Sequence, residues 1–315
     1  GSYTYTITGN AICPTSSATI IVTNNPKPTI APISDYRLCD DAVLGTDSDG
    51  ISFFDLSSKD DEADGTQTGI TVTYHLLPSE AELGTNPITS INSGNSTIYV
   101  RLRNTTTNCY NVTSFNLVVL PLPVIDNNVL FKQCDVDNDA ITNFNLTQAN
   151  DQISTDTSYT FSYHNSLTGA ENNTDLVADE INFQAANGST VWTRIMNTDG
   201  CIRTSQVNLV VSATIIPQTY RYTIEECDDY VDTSDVDGDG IDYFDLTEIE
   251  PALIAQFPAG QSYVFSYYLN QTDAETEQNA ITNLTNFRNT IVNNQPIWVR
   301  IESNLYECAG LGPFF

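Results

Sequence analysis

An all-β fold written as a tandem array of repeats is what this 315-residue sequence predicts, and three observations carry the prediction. Thr, Asn, Ile, Val, Tyr and Phe abound while Met occurs once, a composition that forms strands joined by polar turns. Short alternations of apolar and polar residues recur, beginning with Tyr3-Thr-Tyr-Thr-Ile-Thr8. One stretch is also written three times: a cysteine, an Asp-rich loop, then Ile-x-x-Phe-Asp/Asn-Leu. Its copies start at Cys39, Cys134 and Cys227, 95 and 93 residues apart, which is the size of a small domain.

Charge narrows the partners. Acids outnumber bases 40 to 11, and the formal charge of −29 repels nucleic acid and anionic membrane surfaces, so neither is expected to bind. A chain this acidic repels itself, and divalent cations would relieve part of that repulsion. No apolar run approaches the roughly 18 residues of a membrane span, so no direct membrane insertion is expected. No signal peptide opens the chain either, and residue 1 is not expected to be the natural start.

Taken in order, residues 1–25 read as the closing hairpin of a truncated repeat. Tyr3–Thr8 and Ser17–Thr23 are its strands, with Cys13 and Pro14 in the turn. A linker from Asn25 to Pro32 leads to the first whole repeat, 33–123, followed by repeats 124–217 and 218–315. After each Asp loop comes a strand with an aromatic core: Val72–His75, Phe161–His164 and Phe265–Tyr268. Next is an Ala-Glu stretch (Ala81-Glu82, Ala170-Glu171, Ala274-Glu275) expected to be a turn or one helical turn. The strongest strand follows, Ile98–Leu102, Val191–Ile195 or Ile297–Ile301, and a second cysteine, Cys109, Cys201 or Cys308, closes a hairpin. Phe115–Val119 and Val207–Val211 supply a last strand that the third repeat is expected to lack. That repeat carries an extra stretch, Ile249–Gln256, expected to form a short helix. Many short strands in units of this length fit immunoglobulin-like β-sandwiches, and boundaries that cut through domains point to a window onto a longer array.

The Asp loops are read as calcium sites at the domain junctions. The candidate ligands are Asp40, Asp47, Asp49 and Asp55; then Asp135, Asp137, Asp139 and Asn145; then Asp228, Asp235, Asp237, Asp239 and Asp245. Carboxylates at alternate positions of a tight turn offer the oxygen cage that hard Ca²⁺ takes, and Gly50 or Gly240 lets the chain turn sharply. The match to a helix-loop-helix calcium hand is partial. Counting from Asp135 or Asp235, acids fall at positions 1, 3 and 5, but the last oxygen donor comes at 11 and no Glu stands at 12. Gly45 occupies position 1 of the first copy, and Ala140 replaces the expected Gly in the second. The plain alternative for each loop is a solvated acidic turn.

Seven cysteines without a Cys-x-x-Cys spacing predict disulfides in an oxidising compartment. Cys13–Cys39, Cys109–Cys134 and Cys201–Cys227 have near-constant separations of 26, 25 and 26 residues. Cys39–Cys109, Cys134–Cys201 and Cys227–Cys308 instead close each repeat on itself and leave Cys13 to pair outside the window. If the hairpin cysteine sits at the pole where its own repeat begins, the next entry cysteine lies about 25–35 Å away along a strand, against the roughly 7 Å between Cα atoms that a bridge allows. Pairing within the repeat is therefore the expectation.

Catalytic motifs are absent, and no enzyme is expected. His75 and His164 occupy one repeat position that Tyr268 takes in the third copy, which assigns them to packing. Arg101, Arg194 and Arg300 likewise recur beside an aromatic, as an internal cation–π or ion-pair contact would require. Tyr99, Trp192 and Trp298 are the aromatics that could stack on sugars if the chain were a glycan-binding module array of a secreted polysaccharide-active protein.

The Cys-Asp loop, Thr-Tyr-His, Ala-Glu-x-Gly-Thr-Asn-Pro-Ile and Ile-Tyr-Val-Arg-x-x-Asn-x-x-Thr-x-Cys-Tyr resemble the repeats of very large secreted surface proteins of the Bacteroidetes. Over residues 33–308 the chain looks like the gliding-motility adhesins and related proteins exported by the type IX secretion system. The resemblance implies placement at the cell surface, a sorting domain outside this window, and adhesion to or movement along a substratum. Expected partners are neighbouring repeats of the same chain, surface polysaccharide or substratum, and the secretion and motility machinery at the outer membrane. The expected role is a stalk segment stiffened by Ca²⁺.

Overall fold

The computed structural model describes residues 1–42, 45–137, 139–213, 216, 222–228, 238–303 and 308–315. The chain divides into two compact units, Gly1–Leu122 and Pro123–Phe315. The first opens with an antiparallel hairpin, β1 (Ser2–Ile7) and β2 (Ser16–Ile21), whose residues are exposed on both faces. The rest of that unit is one repeat. Its strands are β3 (Tyr36–Cys39), β4 (Ser52–Asp55), β5 (Ile70–His75), β6 (Ser90–Ser93), β7 (Ser96–Asn104) and β8 (Tyr110–Leu120), with helices α1 (Asp60–Asp64) and α2 (Pro78–Leu83) between them.

Period-two alternation explains how these strands pack. Along β7, Ile98, Val100 and Leu102 are buried, while Tyr99 and Arg101 face outward and are half-buried. The inward residues meet Phe54, Leu56, Tyr74, Phe115 and Leu117 in one core between a four-stranded sheet, in the order β3-β8-β7-β5, and the pair β4-β6. Hairpin β7-β8 and the β5-β7 pair are antiparallel, whereas β3 runs parallel to β8. That parallel first-to-last pairing across a two-sheet sandwich is the immunoglobulin-like arrangement.

The second unit contains two further repeats of the same plan. The first has β9 (Asn128–Asp135), β10 (Ile141–Phe144), α3 (Asn150–Ile153), β11 (Thr160–His164), α4 (Leu167–Asn172), β12 (Phe183–Ala186), β13 (Thr190–Met196) and β14 (Ile202–Ala213). The next has β15 (Tyr243–Phe244), α5 (Glu250–Ile254), β16 (Tyr263–Tyr268), α6 (Gln271–Thr276), β17 (Phe287–Arg288), β18 (Ile297–Ser303) and β19 (Gly310–Phe314). Each repeat has its own core.

Two expectations change. The helix expected as an extra of the third repeat is α5, but α1 and α3 occupy the same place in the other two, so it belongs to the plan. A tyrosine of the neighbouring strand fixes it each time: Tyr74 donates to Asp60, Tyr163 to Asn150 and Tyr267 to Glu250. The third repeat also has its closing strand, β19, which pairs with β18 over Ile297–Ile301. A Cβ on Gly310 would come within 2.8 Å of the Phe257 ring and 2.9 Å of Ile216, so a larger residue there would have to displace those side chains.

Candidate functional site

The entry cysteine ends the first strand of its repeat, and the direction of that strand places it. In β9–β14 the register aligns Asn128 with Gln206 and Cys134 with Ser212. Ser212 lies 11 residues beyond Cys201, roughly 35 Å along a strand. Cys39 aligns with Leu120 in the same way, 11 residues beyond Cys109. An entry cysteine therefore sits at the pole opposite its own hairpin cysteine, which overturns pairing within the repeat.

Cys134 is bonded to Cys308, the hairpin cysteine of the following repeat, with a Cα–Cα distance of 5.4 Å. Cys39 and Cys201 are each disulfide-bonded as well, while Cys13, Cys109 and Cys227 are free thiols. Of the expected pairs, Cys39–Cys109 fails because Cys109 is free, Cys134–Cys201 because Cys134 is taken by Cys308, and Cys227–Cys308 for both reasons. The alternative pairs across the linkers fail too, since each contains a free thiol.

Around Cys134–Cys308 the second and third repeats share a closed interface. The bridge is buried with Tyr268, Ala274 and Leu311, and Val136 and the half-buried Trp298 pack on it. Beside it lies the C-terminal end of α6, whose last carbonyls have no partner within the helix. Gln133, the residue before the cysteine, donates to the Glu275 carbonyl, and Asn145 donates to the Thr276 carbonyl at 2.8 Å. Asn143 donates to the Glu275 carboxylate at 2.8 Å. Arg300 is 2 % exposed and binds Glu277 through Nη2 at 2.8 Å, Glu302 through Nε at 3.0 Å and the Gln133 side-chain oxygen through Nη1 at 2.6 Å. A buried guanidinium needs this many acceptors, because a charge taken out of water is tolerated only when paired and hydrogen-bonded.

The recurring arginine reaches the end of the short helix before it in all three repeats, and in the third Arg300 also spans the junction. Arg101 donates to the carbonyls of Ala81 and Glu82 and lies 3.6 Å from the centre of the Tyr110 ring; Arg194 donates to Ala170 and Glu171. Each is a cation closing the C-terminal end of a short helix, where carbonyl oxygens are exposed. The histidines are packing residues. His75 is buried with Nδ1 2.7 Å from the Thr85 carbonyl and Nε2 2.9 Å from the Thr73 hydroxyl, and His164 repeats this with Thr174 and Ser162. The carbonyl can only accept, so Nδ1 carries the proton.

In every Asp loop the acid directly after the cysteine ties the turn shut. Asp40 accepts from the Gly50 amide at 2.8 Å, Asp135 from Ala140 at 2.7 Å and Asp228 from Gly240 at 2.6 Å. The closing residue is left-handed each time, at φ 75°, 65° and 79°. Ala140 adopts that conformation despite its Cβ, which normally costs about 1–2 kcal/mol. The true counterpart of Asp135 is thus Asp228 rather than Asp235, and the loops differ in length behind a shared clasp.

Among the described residues, Asp135, Asp137 and Asp139 alone bring three carboxylates to ligand spacing, with one oxygen of each within 4.8 Å of the others. Partial desolvation by the loop, and then the hydrogen bond shared with Asp135, hold Asp137 above the usual carboxylate range. Asp40, Asp47 and Asp49 do not gather in this way, and Asp239 accepts from the Ile241 amide. Asp235 and Asp237 lie outside the described residues. Asp55, Asn145 and Asp245 are corrected from ligands to helix caps: each accepts from the backbone and hydroxyl of Ser57, Thr147 or Thr247 at the start of a 3₁₀ turn.

Sequence comparison identifies three consecutive matches to the Flavobacterium inter-domain disulphide bond domain, at residues 35–123, 130–215 and 223–315. No curated protein matches the chain in sequence. Among solved structures, an I-band fragment of titin is 9 % identical, covering 90 % of this chain and 96 % of its own, with a TM-score of 0.22. A mouse clustered protocadherin fragment is 8 % identical over 67 % of this chain and 76 % of its own, at 0.21. The human desmocollin-1 ectodomain is 9 % identical over 97 % and 62 %, at 0.18.

Proposed function

Because the chain belongs to the Flavobacterium inter-domain disulphide bond family, a set of tandem domains, we propose that it is a stalk segment of a very large cell-surface adhesin, serving attachment or gliding over surfaces. The observation that carries this reading is the Cys134–Cys308 bridge with its buried arginine, which joins one repeat to the next covalently and by packing. A junction so closed transmits force along the chain instead of flexing, as a tether between cell and substratum must. Disulfide bonding fits export to an oxidising, extracellular setting, and the type IX route belongs to the same reading. It assigns no catalytic role to the chain.

Ca²⁺ belongs to this proposal at the second loop. Asp135, Asp137 and Asp139 offer three hard carboxylate oxygens on one side of a tight turn, a donor set that suits Ca²⁺. There an ion would neutralise part of the chain's charge next to the repeat junction.

The test is titration of Ca²⁺ into chelator-treated protein by calorimetry, with thermal unfolding and X-ray scattering alongside. At 100-fold excess over Kd, the bound ion is expected to stabilise by about 2.7 kcal/mol, and Asp137→Asn to abolish the shift. An unfolding midpoint indifferent to chelator would remove calcium from the proposal and leave the stalk reading to the disulfide alone.

A further inference from the structure

The directions of two strands decide where tension would run through the second and third repeats. β9 runs toward Cys134, whereas β19 starts just beyond Cys308 and runs away from it. The Cys134–Cys308 bond therefore joins the C-terminal end of one strand to the N-terminal end of the other, with Cα atoms 5.4 Å apart. Strand, bridge and strand form one head-to-tail covalent line. Along the backbone the same two cysteines are 174 residues apart. Without the bridge, a pull between the start of β9 and the end of β19 would have to cross both sandwiches. It would load the parallel β9–β14 pair in shear, because Asn128 aligns with Gln206 and Asp135 with Ala213, so the start of β9 and the end of β14 lie at opposite poles. With the bridge, tension leaves β9 at Cys134 and never enters β14.

The bond is also sealed. Cys134 is 0 % and Cys308 5 % exposed, buried with Tyr268, Ala274 and Leu311 and covered by Val136 and Trp298. Thiol–disulfide exchange requires a thiolate to reach one of the sulfurs, so at rest cleavage waits on local opening of this cluster. Part of the seal lies on the loaded strand itself: Gln133, next to Cys134 on β9, donates to the Glu275 carbonyl and accepts from Arg300 at 2.6 Å. Drawing β9 taut pulls on both of those bonds.

We propose that β9, the bridge and β19 are a covalent tie that carries tension past both repeats, and that residues 135–307 are a reserve of length which a thiol reductant releases once tension has opened the seal. A dithiol reductant balances the step. One of its thiolates attacks a bridge sulfur, the second displaces the resulting mixed disulfide, and its two protons end on Cys134 and Cys308 as it closes to a cyclic disulfide. The inference deepens the stalk reading and rests on it only for the source of the load. A load applied from outside tests the tie by itself, so a failure there leaves the stalk reading standing, and a chain that tethers nothing would still show the tie.

The experiment holds the full chain in a single-molecule force clamp, with one handle on an azide-bearing residue at position 124, where Val124 is 77 % exposed, and the other after Phe315. Without reductant the chain is expected to lengthen by no more than the tie itself, residues 124–134 and 308–315, about 65 Å at roughly 3.5 Å per residue. In dithiothreitol the same load should release a further gain of about 600 Å as the 174-residue loop unfolds. Cys134→Ser combined with Cys308→Ser should give that gain without reductant, and the parent with and without dithiothreitol makes the same comparison if the double variant does not fold. At zero load, alkylation and peptide mapping should find the bridge cleaved about tenfold more slowly than under load, or slower still, since a load that takes about 1.4 kcal/mol off the barrier speeds the step tenfold. A gain of hundreds of ångströms from the oxidised parent, no gain in dithiothreitol, or cleavage as fast at rest as under load would overturn the proposal.

Discussion

The α2 face of the first repeat and the α6 face of the third are built from the same pattern, yet one is open and the other closed. Both present a short helix whose last carbonyls find no partner within the helix, an arginine reaching them from the adjacent strand, and a hairpin cysteine. In the closed face the arginine is nearly inaccessible and gathers two glutamates and a glutamine; in the open one it stacks on Tyr110 beside solvent. Local sequence therefore builds the face, and the neighbouring repeat decides its energetics. A residue whose loss is tolerated on the open face becomes indispensable on the closed one.

The largest expected effect is at the bridge. Replacing Cys134 and Cys308 together by Ser removes a cross-link spanning 174 residues, which chain-entropy reasoning values at about 5 kcal/mol. Cys109→Ser, on the open face, should change stability by less than about 0.5 kcal/mol. Denaturant unfolding followed by far-UV circular dichroism reads all three repeats and separates the two, while the fluorescence of Trp192 and Trp298, the only tryptophans, isolates the second and third. Comparable losses in both variants would break the comparison.

The arginines come next. Arg300→Ala removes a buried guanidinium and its bonds to the partly exposed Glu277 and Glu302 and to Gln133, and should cost about 3 kcal/mol. Arg101→Ala removes two bonds to carbonyls and a ring contact at a half-exposed site, where about 1 kcal/mol is expected. Chemical denaturation of each variant measures both. If Arg101→Ala cost as much as Arg300→Ala, the arginine would act by capping its helix and not by closing the junction.

Much of this was legible in the residues. Strand positions, the repeat period, the packing role of His75 and His164 and the intrarepeat role of the arginines follow from alternation and recurrence. The disulfide pattern did not, because it depends on which strand the entry strand pairs with and in which direction. That pairing is set by contacts some 80 residues apart in sequence, and no local spacing encodes it. Asp55, Asn145 and Asp245 looked like metal donors because acids and amides serve both metals and caps; the Ser or Thr two residues later is the signal for a cap. Gln133 was missed altogether, although its contrast with Leu38 and Glu226 at the same position marks a residue that meets something outside its own repeat.

The finest test of the comparison lies in the atom that distinguishes Asn145 from Asp55 and Asp245. All three cap a 3₁₀ turn through a side-chain oxygen, so the cap does not require the amide. Asn145 has a second use for its nitrogen, the bond to the Thr276 carbonyl across the junction. Asn145→Asp preserves the cap but turns a donor into a charge facing a carbonyl in a buried place, for a loss of about 2 kcal/mol. Asp245→Asn makes the converse change where no described junction is closed, and should stay within about 0.5 kcal/mol of the parent. If calorimetric unfolding gave Asn145→Asp the stability of the parent, the hydrogen bond to α6 would be incidental, and the bridge and Arg300 alone would hold the repeats together.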